Sequence, residues 1–555
     1  MEGKAFNLLD EPWIRVMLPD CTVREVSLTQ ALTQAHTFTA LAGEMPTQDV
    51  AVLRLLLAVL HTVFERVDET GQNHPIHEAD EALERWHALW QGKQFPEEPI
   101  RAYLDAWHER FYLFHPQRPF YQVNALDRGT AYRTSKLNGA ISESGKPNEP
   151  PQKPRLFANR AGSEKDKLSY PEAARWLVSL IAFDDASGKP SVRKKHSKHE
   201  MNTQVSEPEK GPSIGLGWLG KLGLIVAQGE NLFETLMLNL VMLNHKSECW
   251  GKNVPTWELP QPRTQERCLI SIPDNQAQLL TLQSRRVQLL REGNQIVGYR
   301  LLGGDYFDES NAFSEQMTLW MIVKGKDSRP NIFLPKRHDA SRKIWREFSS
   351  IVAEKDEHAL PGIVRWQRVL QSEEFIPSHR LARFQIISAQ YDSKNCSMTD
   401  TFSDALGFHL GLLTDAGKTW VDQILTEIRI VDELAQRAWI LGAHIEQAAG
   451  GGGDALGNQM KEQLYDRIDI PFRRFLASVD PADNDGQRRD RLDKWRQEAR
   501  GITLALGREA AHQAGQAAFV GRTIENRKKK EKHHYSLPEA YNQFLSQVNK
   551  LLRDT

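Results

Sequence analysis

The chain has 555 residues, and its 71 lysines and arginines against 72 aspartates and glutamates leave a formal net charge of −1. With 40% hydrophobic and 26% charged residues, this balance excludes a disordered polyampholyte, a small stapled module and a histone-like cation. The length corresponds to about three to four domain-equivalents. Cys21, Cys249, Cys268 and Cys396 lie far apart with no CxxC pair, so neither a disulfide framework nor a zinc site can be read from them, and a reducing cytoplasm is the expected location. No signal peptide is expected at the start, and the apolar run Val50 to Val63, interrupted by Arg54 and His61, reads as a core helix rather than a bilayer span.

In chain order, Trp13 to Met17 and Thr22 to Val26 predict strands, and Asp49 to Val67 a helix apolar nearly all round. Ala102 to Phe114 predicts an aromatic-rich helix that breaks at His115-Pro116. From Ile141 to Lys167 the periodicity vanishes, prolines gather, and the apolar island Leu156-Phe157-Ala158 stands among polar residues, as expected of a long mobile loop. Tyr170-Pro171-Glu172 opens a helix through Phe183, and a second irregular stretch runs from Asp184 to Pro212. Leu232 to Leu243 predicts a buried helix. Leu279 to Gln288 and Gln295 to Leu302 predict a strand pair across Glu292-Gly293-Asn294, with further strands at Met317 to Val323 and Phe384 to Ser388. Past about Asp400 the texture becomes amphipathic over Lys418 to Ala449, Gly457 to Val479, Gln487 to Gln513 and Leu537 to Leu552. The expected fold is therefore α+β: a large mixed N-terminal domain over 1–400 with flexible loops, followed by a C-terminal four-helix bundle over 401–555.

Motifs of chemistry are scarce. Gly215-Leu216-Gly217-Trp218-Leu219-Gly220 matches GxGxxG, but no β-run precedes it, so loop shaping or a close backbone approach is the better reading. His338-Asp339 has no second histidine at ligand spacing and is expected at the surface; HExxH and the Walker pattern are absent. What remains is local positive charge: Arg193 to Lys198; Arg285-Arg286 with Arg291 and Arg300; Lys324, Lys326, Arg329, Lys336 and Arg337; the helix face Arg488 to Arg496; and Arg527 to Lys530 with Lys532. Such patches beside long loops suit a phosphate backbone, although a solvated face is the plainer alternative for any single run.

The opening Phe6-Asn7-Leu8-Leu9-Asp10-Glu11-Pro12-Trp13-Ile14-Arg15-Val16 resembles the start of the CasA family, the large subunit of the type I-E CRISPR surveillance complex Cascade. His115-Pro116 through Arg118-Pro119-Phe120-Tyr121-Gln122 and Pro255-Thr256-Trp257 are similar to two further segments of that family. The resemblance implies a non-catalytic subunit that recognises a protospacer-adjacent motif in double-stranded DNA. It would help open the duplex for guide-RNA pairing and dock a helicase-nuclease, alongside other Cascade subunits and the guide RNA, with no cofactor, metal or membrane. Base pairing supplies the sequence specificity of such a complex, so protein need read only a few base pairs.

By the same resemblance, Phe157 and Asn159 fall in the family's flexible first loop, and Ser187, Gly188 and Lys189 at its glycine loop. Lys394 and Asn395, within Tyr391 to Ser397, fall where a glutamine wedge is inserted, with asparagine in place of glutamine. The family's lysine-bearing hairpin falls near Leu301 to Asp305, which holds no lysine, so Lys324 and Arg300 are the candidate replacements; Arg193, Lys194, Lys195 and Lys198 would add backbone contacts. A metal-dependent nucleic-acid hydrolase and a purely structural scaffold of a ribonucleoprotein are the competing readings.

Overall fold

Why the apolar run after residue 45 makes a core helix is plain in the computed structural model, which describes residues 3–124, 126–127, 129–141, 146–147, 160, 162–187, 203–204, 215–326, 329–352, 359–526 and 531–553. The helix Pro46–Arg66 opens on a proline, which fits the first turn, and all its residues from Val50 to Phe64 are buried. By length and composition it could cross a membrane, but 94% of its most apolar window is buried inside the protein. Its polar residues are absorbed locally. Arg54 makes a bidentate pair with Glu315 at 2.8 and 2.9 Å, Trp218 Nε1 donates to the same carboxylate at 2.7 Å, and burial pushes His61 down to about 3.

The chain forms two compact units. The first comprises Met1–Ala340, Glu354–Gln367 and Phe384–Ala405; the second comprises Ser341–Ala353, Arg368–Arg383 and Leu406–Thr555. Helices and strands are mixed in the first unit, in small sheets that include two antiparallel ones, of order Val23–Val26, Ile14–Met17, Ala40–Leu41 and of order Arg285–Glu292, Gln295–Gly303, Thr130–Arg133. The expected pair across Glu292-Gly293-Asn294 is present, with Glu292 opposite Gln295 and Gly293 at φ +57°, but its first strand begins at Arg285. The preceding residues Gln276–Leu280 form a short helix instead, capped by Asn275, whose side chain accepts from Gln278 N at 2.8 Å.

Two other boundaries differ for local reasons. The expected helix through Phe114 stops at Ala106; Phe111 and Leu113 are buried while Tyr112 and Phe114 are half-buried, a period of two, and Tyr112–Phe114 is a strand paired with Ala5–Asn7. The helix from Leu232 ends at Asn239, whose amide turns to bond both Ala227 N (3.0 Å) and Ala227 O (2.6 Å) of the strand Leu224–Gln228.

In the second unit the four long helices are Lys418–Ala449, Asp454–Ser478, Asp485–Gln513 and Leu537–Arg553. Leu464, Ile468, Phe472 and Leu476 recur every fourth residue and are buried, and the Trp495 ring stacks on Phe475 at 5.3 Å and meets Phe472 edge-on at 5.1 Å. Gly450 and Gly453, at φ +102° and +100°, make the turn between the first two helices, where a Cβ would be strained. Between the last two of these helices, Arg522–Asn526 and Glu531–Tyr535 form an antiparallel strand pair with Arg522 opposite Tyr535.

Candidate nucleic-acid interface

The opening motif is architectural. Asn7 Oδ1 accepts from Leu9 N at 2.9 Å, Glu11 Oε1 accepts from Asn7 N at 3.2 Å, and Trp13 Nε1 donates to Leu8 O at 3.0 Å, with Leu8 and Trp13 fully buried. His115 Nδ1 accepts from the backbone N–H of both Gln117 (3.1 Å) and Arg118 (3.0 Å), which fixes the turn at the prolines. Gln122 then bridges two strands, donating to Leu113 O at 2.7 Å and accepting from Leu289 N at 2.9 Å. Thr256 Oγ1 donates to Thr281 O at 2.6 Å, while Trp257 Nε1 donates to Tyr103 Oη at 2.8 Å.

Of the recognition residues expected from sequence, two groups separated by more than 200 residues meet. The helix Tyr170–Phe183 ends at Asp184, and the chain continues past Ala186, whose N–H donates to Asn395 O at 2.7 Å. Asn395 lies in the turn between the strands Leu381–Tyr391 and Met398–His409. Asp392 builds that turn: its Oδ1 accepts from Lys394 N (3.1 Å) and Cys396 N (2.8 Å), and its carbonyl accepts from Asn395 N (2.9 Å). Asn395 takes φ +55°, a left-handed conformation that asparagine tolerates better than a branched residue would. The result is an exposed Lys394 next to a half-buried Asn395, whose Oδ1 accepts from Arg337 at 3.3 Å. Ser187 sits on the other side of the junction, its N–H donating to Asp185 Oδ1 at 3.0 Å.

Residues behind the junction hold it. Tyr391 Oη donates to Phe183 O at 2.5 Å, and burial raises its pKa far above the ordinary phenol value, so it remains a donor. Arg337 lies over the Tyr391 ring at 5.6 Å. Arg285, fully buried, pairs closely with Asp184 and donates to Asp185 O (2.9 Å) and Gly215 O (2.8 Å), while Lys136 Nζ reaches Asp185 Oδ2 at 2.7 Å. The GxGxxG glycines serve this packing. A Cβ on Gly217 would lie 2.4 Å from Ala182 O, and one on Gly220 would lie 2.5 Å from Tyr391 Oη, so the close approach is by the protein's own chain.

Several sequence expectations are corrected here. Arg285 and Arg286 present no basic patch to a phosphate backbone: they are 0% and 1% exposed, and Arg286 pairs with Asp305 Oδ1 at 2.5 Å. His338 is buried, not superficial; its Nε2 bonds Leu224 O at 3.1 Å and burial pushes it down to about 4. Arg300 is paired with Asp127 at 2.9 Å, and Lys324 is exposed beyond the strand Leu319–Val323; no described contact brings either to the Ala186–Asn395 junction. On the helix face, Arg488, Arg491 and Arg496 pair with Asp485, Asp483 and the buried Glu427. Phe157, Asn159, Gly188, Lys189, Arg193, Lys194, Lys195 and Lys198 lie outside the described residues. Sequence reasoning missed Tyr391 as a support and Asp184 and Asp185 as the anchors of the segment. Among the described residues no group of three or more His, Cys, Asp or Glu side chains could hold a metal ion.

Comparison with known proteins agrees along nearly the whole chain. Residues 7–506 match the family model for CRISPR-associated protein Cse1. The CRISPR-associated protein CasA/Cse1 of Thermus thermophilus is 28% identical over 527 residues, covering 90% of this chain and 91% of that protein. The crystal structure of Thermobifida fusca Cse1 superposes with a TM-score of 0.80 at 26% identity, covering 99% of this chain and 98% of the other. A chain of a CRISPR RNA-guided surveillance complex, in a pre-nicking state, shares the fold with a TM-score of 0.58 at 16% identity, each chain covered to 98%. With its opening motif, its two proline-aromatic segments and 500 consecutive residues matched, the chain belongs to the CRISPR-associated Cse1 family.

Proposed function

We propose that this chain is a non-catalytic subunit of an RNA-guided CRISPR surveillance complex. It recognises the protospacer-adjacent motif in double-stranded DNA, helps open the duplex for the guide RNA, and docks the helicase-nuclease after DNA binding. The observation that carries the reading is the hydrogen bond between Ala186 N and Asn395 O at 2.7 Å, which brings two candidate recognition segments into one surface feature. A rigid turn carrying an exposed ammonium (Lys394) beside an amide (Asn395) combines the two contacts that such recognition needs. The cation attracts phosphate without regard to sequence, and the amide can exchange hydrogen bonds with base edges.

Ser187, and beyond it Gly188 and Lys189, extend the same proposal, as do Phe157 and Asn159 for the first loop and Arg193, Lys194, Lys195, Lys198, Arg300 and Lys324 for backbone contacts. The fold shared with a chain of a surveillance complex supports the assignment to such an assembly. The test is duplex binding by a reconstituted guide-loaded complex with and without this chain, using randomised base pairs beside the target at fixed salt. Adding the chain is expected to create a motif preference that Asn395→Ala weakens. Unchanged affinity and preference would leave a scaffold instead.

A further inference from the structure

The two proline-aromatic segments that mark the sequence meet around a small cavity that the junction at Ala186 and Asn395 does not use. Its volume is about 40 Å³, and it is lined by Arg110, Arg118, Phe120, Thr256, Trp257 and Gln283 among others. Both arginines are half-buried. Among the described residues neither guanidinium has a carboxylate partner: Arg110 lies 5.8 Å from the Trp107 ring, and the nearby Glu109 is taken by Lys4 and also faces His115 at 3.6 Å. Burial and the neighbouring charge of Arg118 lower the pKa of Arg110. The carbonyl of Gln283 is already engaged by Arg286 (3.0 Å) and by Asp305 N (2.8 Å). Two like charges are thus held together at a partly desolvated wall, which is unfavourable unless an anion joins them.

The dimensions select the anion. A volume of 40 Å³ holds roughly three water-sized spheres at about 10–15 Å³ each, the scale of a tetrahedral oxyanion and too small for a nucleobase. Phe120 and Trp257 are 2% and 5% exposed, so their rings are walls and not platforms for stacking a base. Guanidinium forks match phosphate oxygens in pairs, and a partly desolvated wall strengthens the contact. We propose that Arg110 and Arg118 form a phosphate-binding pocket that takes one phosphate of a nucleic-acid strand, without reading its base. Its chemistry does not rest on motif recognition at Lys394 and Asn395.

The test uses the full-length chain, with inorganic phosphate as the probe in equilibrium dialysis. Short oligothymidylates with and without a 5′-phosphate serve as competitors. Saturable phosphate binding is expected, weakened about ten- to a hundredfold by Arg110→Gln or Arg118→Gln, the loss of one charge-assisted contact. Arg118→Lys is expected to recover only part of it, and Arg474→Gln, which removes an exposed arginine paired with Glu498, to bind as wild type. Displacement by the unphosphorylated oligomer identifies an internal phosphodiester as the ligand, and displacement by the phosphorylated oligomer alone identifies a strand terminus; either supports the proposal. Binding that no oligomer displaces, or that survives Arg118→Gln, overturns it. Because the arginine pair is unfavourable without an anion, Arg118→Gln is expected to melt no lower than wild type in phosphate-free buffer. A marked drop would identify a structural arginine and overturn the proposal even if binding were lost.

Discussion

Replacing Arg285 by methionine tests whether a buried ion pair positions the segment from Asp184 to Ser187. Arg285 is fully buried and Asp184 is 6% exposed, and the guanidinium also serves the carbonyls of Asp185 and Gly215. An exposed ion pair would be worth about 0.2–1 kcal/mol, whereas removing one partner of a buried pair costs about 3–5 kcal/mol because the other charge stays behind. The burial of this pair puts Arg285→Met in the second range. Native-state hydrogen exchange reads it locally. The amides of Ala186 and Gly217, bonded to Asn395 O and Asp184 O, should exchange at least roughly two orders of magnitude faster. Asp184→Asn combined with Arg285→Met removes the stranded charge and should recover part of the loss. A change below about 1 kcal/mol, or a double variant as damaged as the sum of the singles, would refute the buried-pair account. In the reconstituted complex Arg285→Met should weaken motif preference although the side chain cannot reach DNA.

Tyr391→Phe keeps the ring under Arg337 but leaves Phe183 O without its donor, and should destabilise the first unit by about 1–2 kcal/mol in urea denaturation. Gly217→Ala places a Cβ 2.4 Å from backbone Ala182 O and should lower the melting temperature clearly, whereas Gly215→Ala, with nothing within 4 Å but φ +81°, should cost only the strain of about 1–2 kcal/mol. His61 and His338, pushed down to about 3 and about 4 by burial, bind fewer protons in the folded than in the unfolded state. Their contribution is therefore complete above the unfolded value of about 6.5 and is lost as pH falls through the window towards 4. His338→Gln should flatten that acid limb in pH-dependent urea titrations. Asp49, raised to about 6 chiefly by burial, acts oppositely: the folded state holds its proton more tightly, so stability falls as pH rises from about 4 to 6, and Asp49→Asn should remove that slope.

Periodicity was most legible where packing is local. The bundle helices follow from their four-residue repeats, and Lys418–Ala449 ends where a run of glycines begins. It was least legible where one side chain overrules a pattern, as when Asn239 turns back to Ala227 and stops a helix that Leu240 to Leu243 would continue. The motif segments were visible as sequence but not as architecture. Nothing local in His115 to Gln122 tells that His115 Nδ1 caps two backbone amides, or that Gln122 reaches a strand near residue 289. Charge was the most misleading signal, because a basic pair on a strand looks the same whether its carboxylates lie nearby in space or nowhere. Asp184 and Asp305 are 101 and 19 residues from the arginines they hold. The pairing of the 186 and 395 segments likewise depends on contacts that no window along the chain contains.

The burial of Arg285 and Arg286 narrows what an electrostatic account of DNA binding can use, and it makes Lys394 and Asn395 separable by experiment. Lys394 is exposed and carries a full charge, so its contribution to a phosphate contact is the release of bound counterions. Lys394→Ala should weaken binding to matched and mismatched motifs alike, and should reduce the slope of log affinity against log salt by about 0.9 if it neutralises one phosphate. Asn395 is uncharged and its Oδ1 is oriented by Arg337 at 3.3 Å. Asn395→Ala should leave the salt slope unchanged and reduce discrimination between motifs, by about 1–3 kcal/mol if the amide meets one base pair. Measuring both variants over a salt series gives four numbers, and only one pattern of them fits a cation that attracts beside an amide that reads. If Asn395→Ala lowers the slope, the amide acts through the placement of Arg337 and the division of roles fails. If Lys394→Ala changes preference but not slope, the lysine reads a base edge and the phosphate contact must come from another cation.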